Sequence, residues 1–290
     1  KLAQSGFDVT FLARGEHLKE LQSNGLIVRS IDGDFHVKEL TATSNISDIG
    51  KSDLILLAVK SWQVSELREG LKNLIHSNSL IVPLQNGVSV YDELNEVIDS
   101  SHILGGVCKV VSKIEAPGII NHFGAKPLII FGKYSNETSD YPFNPKVVFT
   151  QAGIDSIQSQ NIELEIWKKF AFICVGGLMA VFRVVLGDLR SSEETRSLTL
   201  ELLREIVSVG EKLGVVFEEG FVNTTMEFID DLPYETTFSI ARDIWENRPS
   251  ELDSLNGAVV NLGKLHEVST PLNDFIYNSL LPLELKLGNT

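Results

Sequence analysis

The sequence is poor in cysteine, in positive charge and in long apolar runs. Two of its 290 residues are cysteines, and Cys108 and Cys174 lack the spacing of a zinc site or a disulfide framework. The longest uncharged apolar stretch, residues 170–182, is shorter than the roughly 20 residues of a membrane helix, and no signal-peptide pattern opens the chain. A net charge of −14 argues against non-specific binding to nucleic acid or anionic membranes. These absences predict a soluble, cytoplasmic protein without nucleic-acid or membrane partners.

The composition is otherwise that of a folded protein, with 43% hydrophobic and 22% charged residues. In the first half, β-rich runs at 7–13, 53–59, 80–84 and 103–107 alternate with helical patterns, and 26–37 indicates a hairpin. Strands that alternate with helices at this spacing are typical of a doubly wound α/β sheet. We therefore predict an N-terminal Rossmann-like sheet, which ends near residue 158.

The second half has a different texture, with long helical patterns at 192–213, 236–246 and 251–265. This indicates an all-helical C-terminal domain, and the turn-rich segment 135–142 lies near the boundary. The predicted division is 1–158 and 159–290, with a ligand site in the cleft between the domains. The apolar C-terminal half would form either a homodimer interface or its own core.

Lys169 is the most informative single residue, because it opens an uncharged run from within the segment EIWKKF, residues 165–170. An ammonium at such a place is costly unless it is used. On a helix, Lys169 shares a face with Ile173 and with Gly176 or Gly177, whose small size would leave room for a ligand. A lysine beside a carbonyl can donate a proton to it. The alternative is an amphipathic side chain that closes a core helix.

Arg14 follows the first β-rich run, with no acidic residue before Glu16. In a Rossmann unit the end of the second strand carries an acid for the ribose of NAD, or a basic residue for the 2′-phosphate of NADP. Arg14 thus favours NADPH, and a helix-capping or surface arginine is the alternative. The first strand and glycine-rich turn that should precede it are absent from this chain.

Six segments together carry a family resemblance. They are GFDVTFLARG at 6–15, LAVKSWQ at 57–63, PLQNG at 83–87, EIWKKF at 165–170, FSIARD at 238–243 and SELDSLNG at 250–257. In this order and at this spacing, they resemble the ketopantoate reductase (2-dehydropantoate 2-reductase) family over nearly the whole chain.

The resemblance implies three residues that bind the cofactor, NADPH, from the first half of the sequence. Arg14 would hold its 2′-phosphate, and Lys60 would add positive charge nearby. Asn86 would contact both cofactor and substrate near the nicotinamide. Taken from the residues alone, Lys60 is equally a solvated loop lysine, and Asn86 with Gly87 is also a good turn.

The second half supplies the other implied site residues. In the family pattern Lys169 is the general acid that protonates the ketone oxygen, and it also binds substrate. Ser239 would bind the substrate carboxylate, and Glu251 would lie at the cofactor near the lysine. The alternatives are an exposed helix serine and an acid favoured by the helix dipole. Asp253 and Asn256 are interpreted as packing or capping groups.

The implied activity is NADPH-dependent reduction of a 2-oxo acid, by default ketopantoate to pantoate in pantothenate and coenzyme A synthesis, without a metal. The chain departs from the family at positions where asparagines bind substrate, which hold Ile173, Gly176 or Gly177, and Leu186. Such losses are typical of a changed substrate. Two alternatives therefore stay open: a reductase of a more apolar carbonyl compound, and a non-catalytic relative.

Overall fold

The computed structural model describes residues 1–134 and 140–287 and separates into two compact units. The first comprises Lys1–Val59, Gln63–Gln85 and Tyr91–Ile162, and the second comprises Lys60–Trp62, Asn86–Val90 and the chain from Glu163 onward. The second unit thus takes two short segments from the first half of the sequence. Of the predicted turn-rich segment 135–142, residues 135–139 lie outside the described part of the chain.

All β-strands of the described residues lie in the first unit. They are β1 (Thr10–Leu12), β2 (Leu26–Ser30), β3 (Phe35–Val37), β4 (Thr41–Thr43), β5 (Leu54–Leu57), β6 (Leu80–Pro83), β7 (Gly105–Lys109), β8 (Ser112–Ala116), β9 (Ile119–His122), β10 (Leu128–Gly132) and β11 (Ser156–Gln158). The helices of this unit are α1 (Gly15–Asn24), α2 (Val64–Leu71), α3 (Val90–Asn95, whose first residue belongs to the second unit) and α4 (Pro145–Gln151).

The pairing of the strands confirms the α/β class predicted for the first half. Strands β1 and β4 are parallel, as are β5 and β6, and Ile81 forms a parallel bridge to Ile103. The predicted hairpin is the antiparallel pair β2–β3. Two further sheets, β3-β2-β9-β8 and β11-β10-β7, mix parallel and antiparallel pairs. Strand β11 ends at Gln158, where the sheet was predicted to end.

The described residues of the second unit form helices and connecting loops, without a β-strand. Its further helices are α5 (Ile162–Cys174, whose first residue belongs to the first unit), α6 (Gly176–Phe182), α7 (Leu186–Ser191), α8 (Glu193–Lys212), α9 (Phe221–Asp231), α10 (Ser239–Trp245), α11 (Ala258–Leu265) and α12 (Pro271–Lys286). A π-helical segment, Asp253–Gly257, leads directly into α11. In α8 the Ser192 side chain accepts a hydrogen bond from the Thr195 N–H at 3.2 Å, the N-cap that Ser favours.

The apolar stretch around residues 170–182 forms the core of the second unit. Cys174, Val175, Leu178 and Met179 are fully buried, and they pack within one hydrophobic cluster of this unit. Burial raises the pKa of the Cys174 thiol well above its usual value. These four residues therefore belong to the hydrophobic core of the second unit. No helix in the described chain is both long and apolar enough to span a membrane.

Candidate active site

Three of the predicted site residues meet in the second unit. The Lys60 ammonium lies 3.0 Å from Asp243 Oδ2 and 3.7 Å from Glu251 Oε2. Asn86 Nδ2 donates to the same Glu251 oxygen at 2.9 Å. The two carboxylates are 12% and 5% exposed, so both negative charges are largely removed from water and depend on these donors.

Arg248 extends this group to a fifth member. Its Nε and Nη2 donate to Asp243 Oδ1 at 3.1 and 2.8 Å, while Lys60 donates to Oδ2. This hydrogen bonding is the main reason that the pKa of Arg248 lies above its usual value. We call Lys60, Asn86, Asp243, Arg248 and Glu251 the Lys60 cluster. It contains two positively and two negatively charged side chains.

The turn after α10 explains why Asp243 and Arg248 are neighbours. Asn247 has a φ of 51°, the left-handed conformation that ends many helices and that Asn tolerates best after Gly. The Arg248 N–H then bonds to the Asp243 carbonyl at 2.8 Å. This six-to-one bond is the signature of a Schellman turn, and it brings the guanidinium to the carboxylate of the last helical turn.

The segment Asn86–Val90 is seated on the π-helical segment by a close approach of two backbones. Gly87 has a φ of 105°, and a Cβ there would lie 2.8 Å from the carbonyl oxygen of Ser254. Only glycine meets both conditions. Ser61, next to Lys60, bonds to the Ser254 hydroxyl at 2.7 Å. Both short segments of the first half therefore contact the same stretch of chain, beside Glu251.

Lys169 and Ser239 belong to the same unit as the Lys60 cluster. Lys169 is half-buried on α5, whereas the neighbouring Lys168 reaches the exposed Glu218. Ser239 is the first residue of α10. Because Asp243 follows four positions later on that helix, Ser239 and Asp243 share one face of it.

The expectation that two glycines leave room for a ligand above Lys169 is wrong. A Cβ at Gly176 would lie 2.6 Å from Ile240 and 2.9 Å from Phe238, and one at Gly177 would lie 2.3 Å from the Asn256 side chain. Both glycines are buried, and neighbouring side chains already fill the space beside them. They permit close helix packing, as glycine does wherever elements approach closely.

Arg14 lies in the first unit, two residues after β1 and directly before α1. Its side chain is 59% exposed and forms an ion pair with the equally exposed Glu66 at 3.5 Å. An exposed pair at this distance contributes little to stability. Replacement of Glu66 by a stronger anionic partner, such as a phosphate, would therefore cost the Arg14 guanidinium little free energy.

Gln85 is a polar residue that the sequence did not single out. It lies two positions after β6, at the carboxyl end of a parallel strand, and is 8% exposed. Among the described residues neither its Oε1 nor its Nε2 has a hydrogen-bond partner. Buried amides without partners are rare and costly. A ligand that offers both a donor and an acceptor, as a nicotinamide carboxamide or a ribose does, fits this side chain.

Asp243 and Arg248 were also missed as site residues. Asp243 stands in one of the six family segments, FSIARD, yet nothing in its spacing distinguished it from a surface acid of a helix. Arg248 lies outside those segments. The one available signal was the Glu-Asn-Arg sequence after α10, in which Asn is suited to a left-handed turn.

The comparisons agree with the resemblance in the sequence. A family model described as ketopantoate reductase PanE/ApbA matches residues 1–136, and the model of its C-terminal domain matches residues 161–284. Together they cover most of the chain.

Individual proteins match over almost the same length. The uncharacterized oxidoreductase YkpB of Bacillus subtilis is 27% identical over 97% of this chain and 92% of its own. A 2-dehydropantoate 2-reductase of Nostoc is 27% identical over 97% of this chain and 89% of its own. The crystal structure of a PanE/ApbA family ketopantoate reductase from Ralstonia eutropha superimposes with a TM-score of 0.88, at 25% identity, and covers 99% of this chain and 94% of its own.

Proposed function

The chain belongs to the ketopantoate reductase family and is an oxidoreductase, and from this premise we propose that it reduces ketopantoate to pantoate with NADPH. The observation that carries the proposal is the Lys60 cluster, which gathers Lys60, Asn86 and Glu251 from distant parts of the sequence. The reaction would belong to pantothenate and coenzyme A synthesis. Because the chain has little cysteine, we propose the cytoplasm as its compartment.

NADPH, when bound, supplies the hydride that the ketone carbon receives. We propose that Arg14 holds its 2′-phosphate and that Gln85 binds the nicotinamide half. Lys169 Nζ then donates a proton to the ketone oxygen, where negative charge develops. Asn86 donates one amide N–H to Glu251, and its second N–H is suited to orient the carbonyl of the ketone. Ser239 would bind the substrate carboxylate.

The proton donor is tested by the loss of NADPH absorbance with ketopantoate, in the parent protein and in Lys169→Ala. We expect kcat to fall by about 10²–10⁴-fold, as for a lost general acid. The matched control is Lys168→Ala, one position away on the same helix but paired with Glu218, which should keep its turnover. Equal losses in both variants, or turnover in Lys169→Ala at the parent rate, would contradict the assignment.

The cofactor preference is tested at Arg14. An arginine that binds a 2′-phosphate contributes to NADPH affinity and not to NADH affinity. Arg14→Ala should therefore raise the Kd of NADPH and leave that of NADH unchanged, measured by the fluorescence of the bound nicotinamide. The exposed pair partner gives the control, because Glu66→Ala should not weaken NADPH binding. An equal effect of Arg14→Ala on both cofactors would reject the assignment.

A second candidate substrate is a more apolar 2-oxo acid, which Ile173 favours because it stands where the family pattern has a substrate-binding asparagine. A site that binds the substrate hydroxyl rejects the analogue without it by roughly 10⁴–10⁵-fold. Ketopantoate and 3,3-dimethyl-2-oxobutanoate differ only in that hydroxyl. A kcat/KM at least as high for the second compound would favour the apolar substrate, and a strong preference for ketopantoate would support the first proposal.

A further inference from the structure

We propose that Arg248 is a positioning residue for Lys60 and acts through the carboxylate of Asp243. The inference rests on the proposed function. Each oxygen of Asp243 serves a different cation: Oδ1 accepts from Arg248 at 2.8 and 3.1 Å, and Oδ2 accepts from Lys60 at 3.0 Å. The carboxylate is thus a bridge between an arginine at the surface, 51% exposed, and a lysine of the candidate active site.

Lys60 is shared between two carboxylates that compete for it. Its ammonium is 3.0 Å from Asp243 and 3.7 Å from Glu251, and both acids are largely buried, where charges interact strongly. Arg248 neutralises part of the charge on Asp243 and so weakens the attraction of that acid for Lys60. Without Arg248 we expect Lys60 to move towards Asp243 and to lose its hold on Glu251.

The turn after α10 fixes Arg248 for this role independently of its side chain. Its backbone N–H bonds to the Asp243 carbonyl at 2.8 Å, so the two residues stay together even when the guanidinium is removed. Arg248→Ala therefore changes the charge beside Asp243 without releasing the turn. The guanidinium also contacts the exposed Glu246.

A double-mutant cycle on kcat/KM for ketopantoate tests the coupling. Arg248→Ala should lower kcat/KM by about tenfold, within the range of couplings between residues of one network. In a Lys60→Ala background the same change should have no further effect, because its target is gone. Arg248→Lys, which keeps one donor, should restore part of the loss. Equal losses in both backgrounds would show a merely structural role and overturn the proposal.

The matched control is another arginine–aspartate pair of the same unit. Arg196 binds Asp230 through two bonds, at 2.6 and 2.7 Å, and neither residue belongs to the Lys60 cluster. Arg196→Ala should leave kcat/KM unchanged in both backgrounds. A tenfold loss in this control would mean that any broken ion pair disturbs the unit, which would also overturn the specific role of Arg248.

A second readout needs no substrate. Reductive methylation with carbon-13 formaldehyde labels lysine amines and keeps their charge, and the NMR signal of Lys60 is identified by its absence in Lys60→Arg. We expect this signal to shift in Arg248→Ala and to stay in place in Arg196→Ala. A signal unmoved by Arg248→Ala overturns the proposal. Absence of turnover with ketopantoate in the parent would reject the proposed function, while the methyl signal still decides the role of Arg248.

Discussion

At the scale of the residue, replacement of the buried amide of Gln85 should have opposite effects on the stability of the protein and on its affinity for NADPH. Both of its polar atoms lack partners among the described residues, and such a group costs about 1–3 kcal/mol. Gln85→Met, of similar volume, should therefore raise the Tm of the protein without ligand. If the amide binds the cofactor, the same change should raise the Kd of NADPH, measured by nicotinamide fluorescence.

The control for Gln85 is Ser156, whose hydroxyl is likewise buried without a partner in the described chain. It lies at the start of β11, which belongs to a different sheet from β6. Ser156→Ala should raise the Tm slightly and leave NADPH binding unchanged. A Gln85→Met variant that binds NADPH like the parent would reduce Gln85 to a structural residue.

Gly177 offers a second test, in which space opposes helix propensity. Replacement of glycine by alanine in a helix ordinarily stabilises by up to about 1 kcal/mol. Here the new Cβ would lie 2.3 Å from the Asn256 side chain, which two hydrogen bonds hold to Cys174 and Asn273. We expect Gly177→Ala to lower the free energy of unfolding by about 1–3 kcal/mol, as overpacking does. The measurement is urea unfolding, with Gly50→Ala in open space as the control.

Sequence patterns named Lys60, Asn86 and Glu251 only through the family segments, because these residues are far apart along the chain. What brings them together is the close approach at Gly87 and the ion pairs of Asp243, which depend on the folded backbone. The sequence did mark the Asn-Gly turn as special. It did not indicate that the turn would approach the backbone at Ser254. The sequence therefore predicted the turn but not the close contact that requires Gly87.

At the scale of the element, the pair Arg196–Asp230 joins α8 to α9. The hydrogen bond from Arg196 is the main reason that the pKa of Asp230 lies below its usual value. A carboxyl with a lowered pKa in the folded state stabilises above its unfolded pKa, near 3.9, and this stabilisation is lost as the pH falls through the folded pKa. Asp230→Asn should therefore lower the Tm at pH 7 and have little effect well below pH 4.

The comparison that checks this is thermal unfolding of both proteins across that pH range. Asp231→Asn is the control, because this adjacent acid lies at the same helix end but forms no ion pair with any residue that the structure describes. A Tm difference between the parent and Asp230→Asn that persists in acid would contradict the electrostatic origin of the effect.

Elements with strong local periodicity were predicted best. The helix expected at 192–213 is Glu193–Lys212, and the buried runs at 53–59 and 80–84 contain β5 and β6. The parallel pairing of β2 with β9 was not predicted, because their contact joins segments far apart in sequence and leaves no local pattern. Helix α11 is shorter than expected, since residues 253–257 form a π-helical segment in place of its first turns.

At the scale of the whole molecule, the chain alternates between the two units. Lys60–Trp62 and Asn86–Val90 belong to the second unit, yet they follow closely on β5 and β6 of the first. Unfolding of these strands would release Lys60 and Asn86 from the second unit. Glu251, only 5% exposed, would lose both of these donors at high cost, and Asp243 would keep Arg248 but lose Lys60. We therefore expect both units to unfold in one cooperative transition.

Tryptophan fluorescence can test this, because all three tryptophans, Trp62, Trp167 and Trp245, lie in the second unit. Phe149 is fully buried in the first unit and packs edge-on against Phe131 at 5.6 Å. Phe149→Ala should cost about 3–5 kcal/mol and should lower the fluorescence midpoint in urea as much as the midpoint from circular dichroism. A fluorescence midpoint that stays at the parent value would mean that the second unit keeps its fold alone, and that Lys60 and Asn86 are dispensable for its stability.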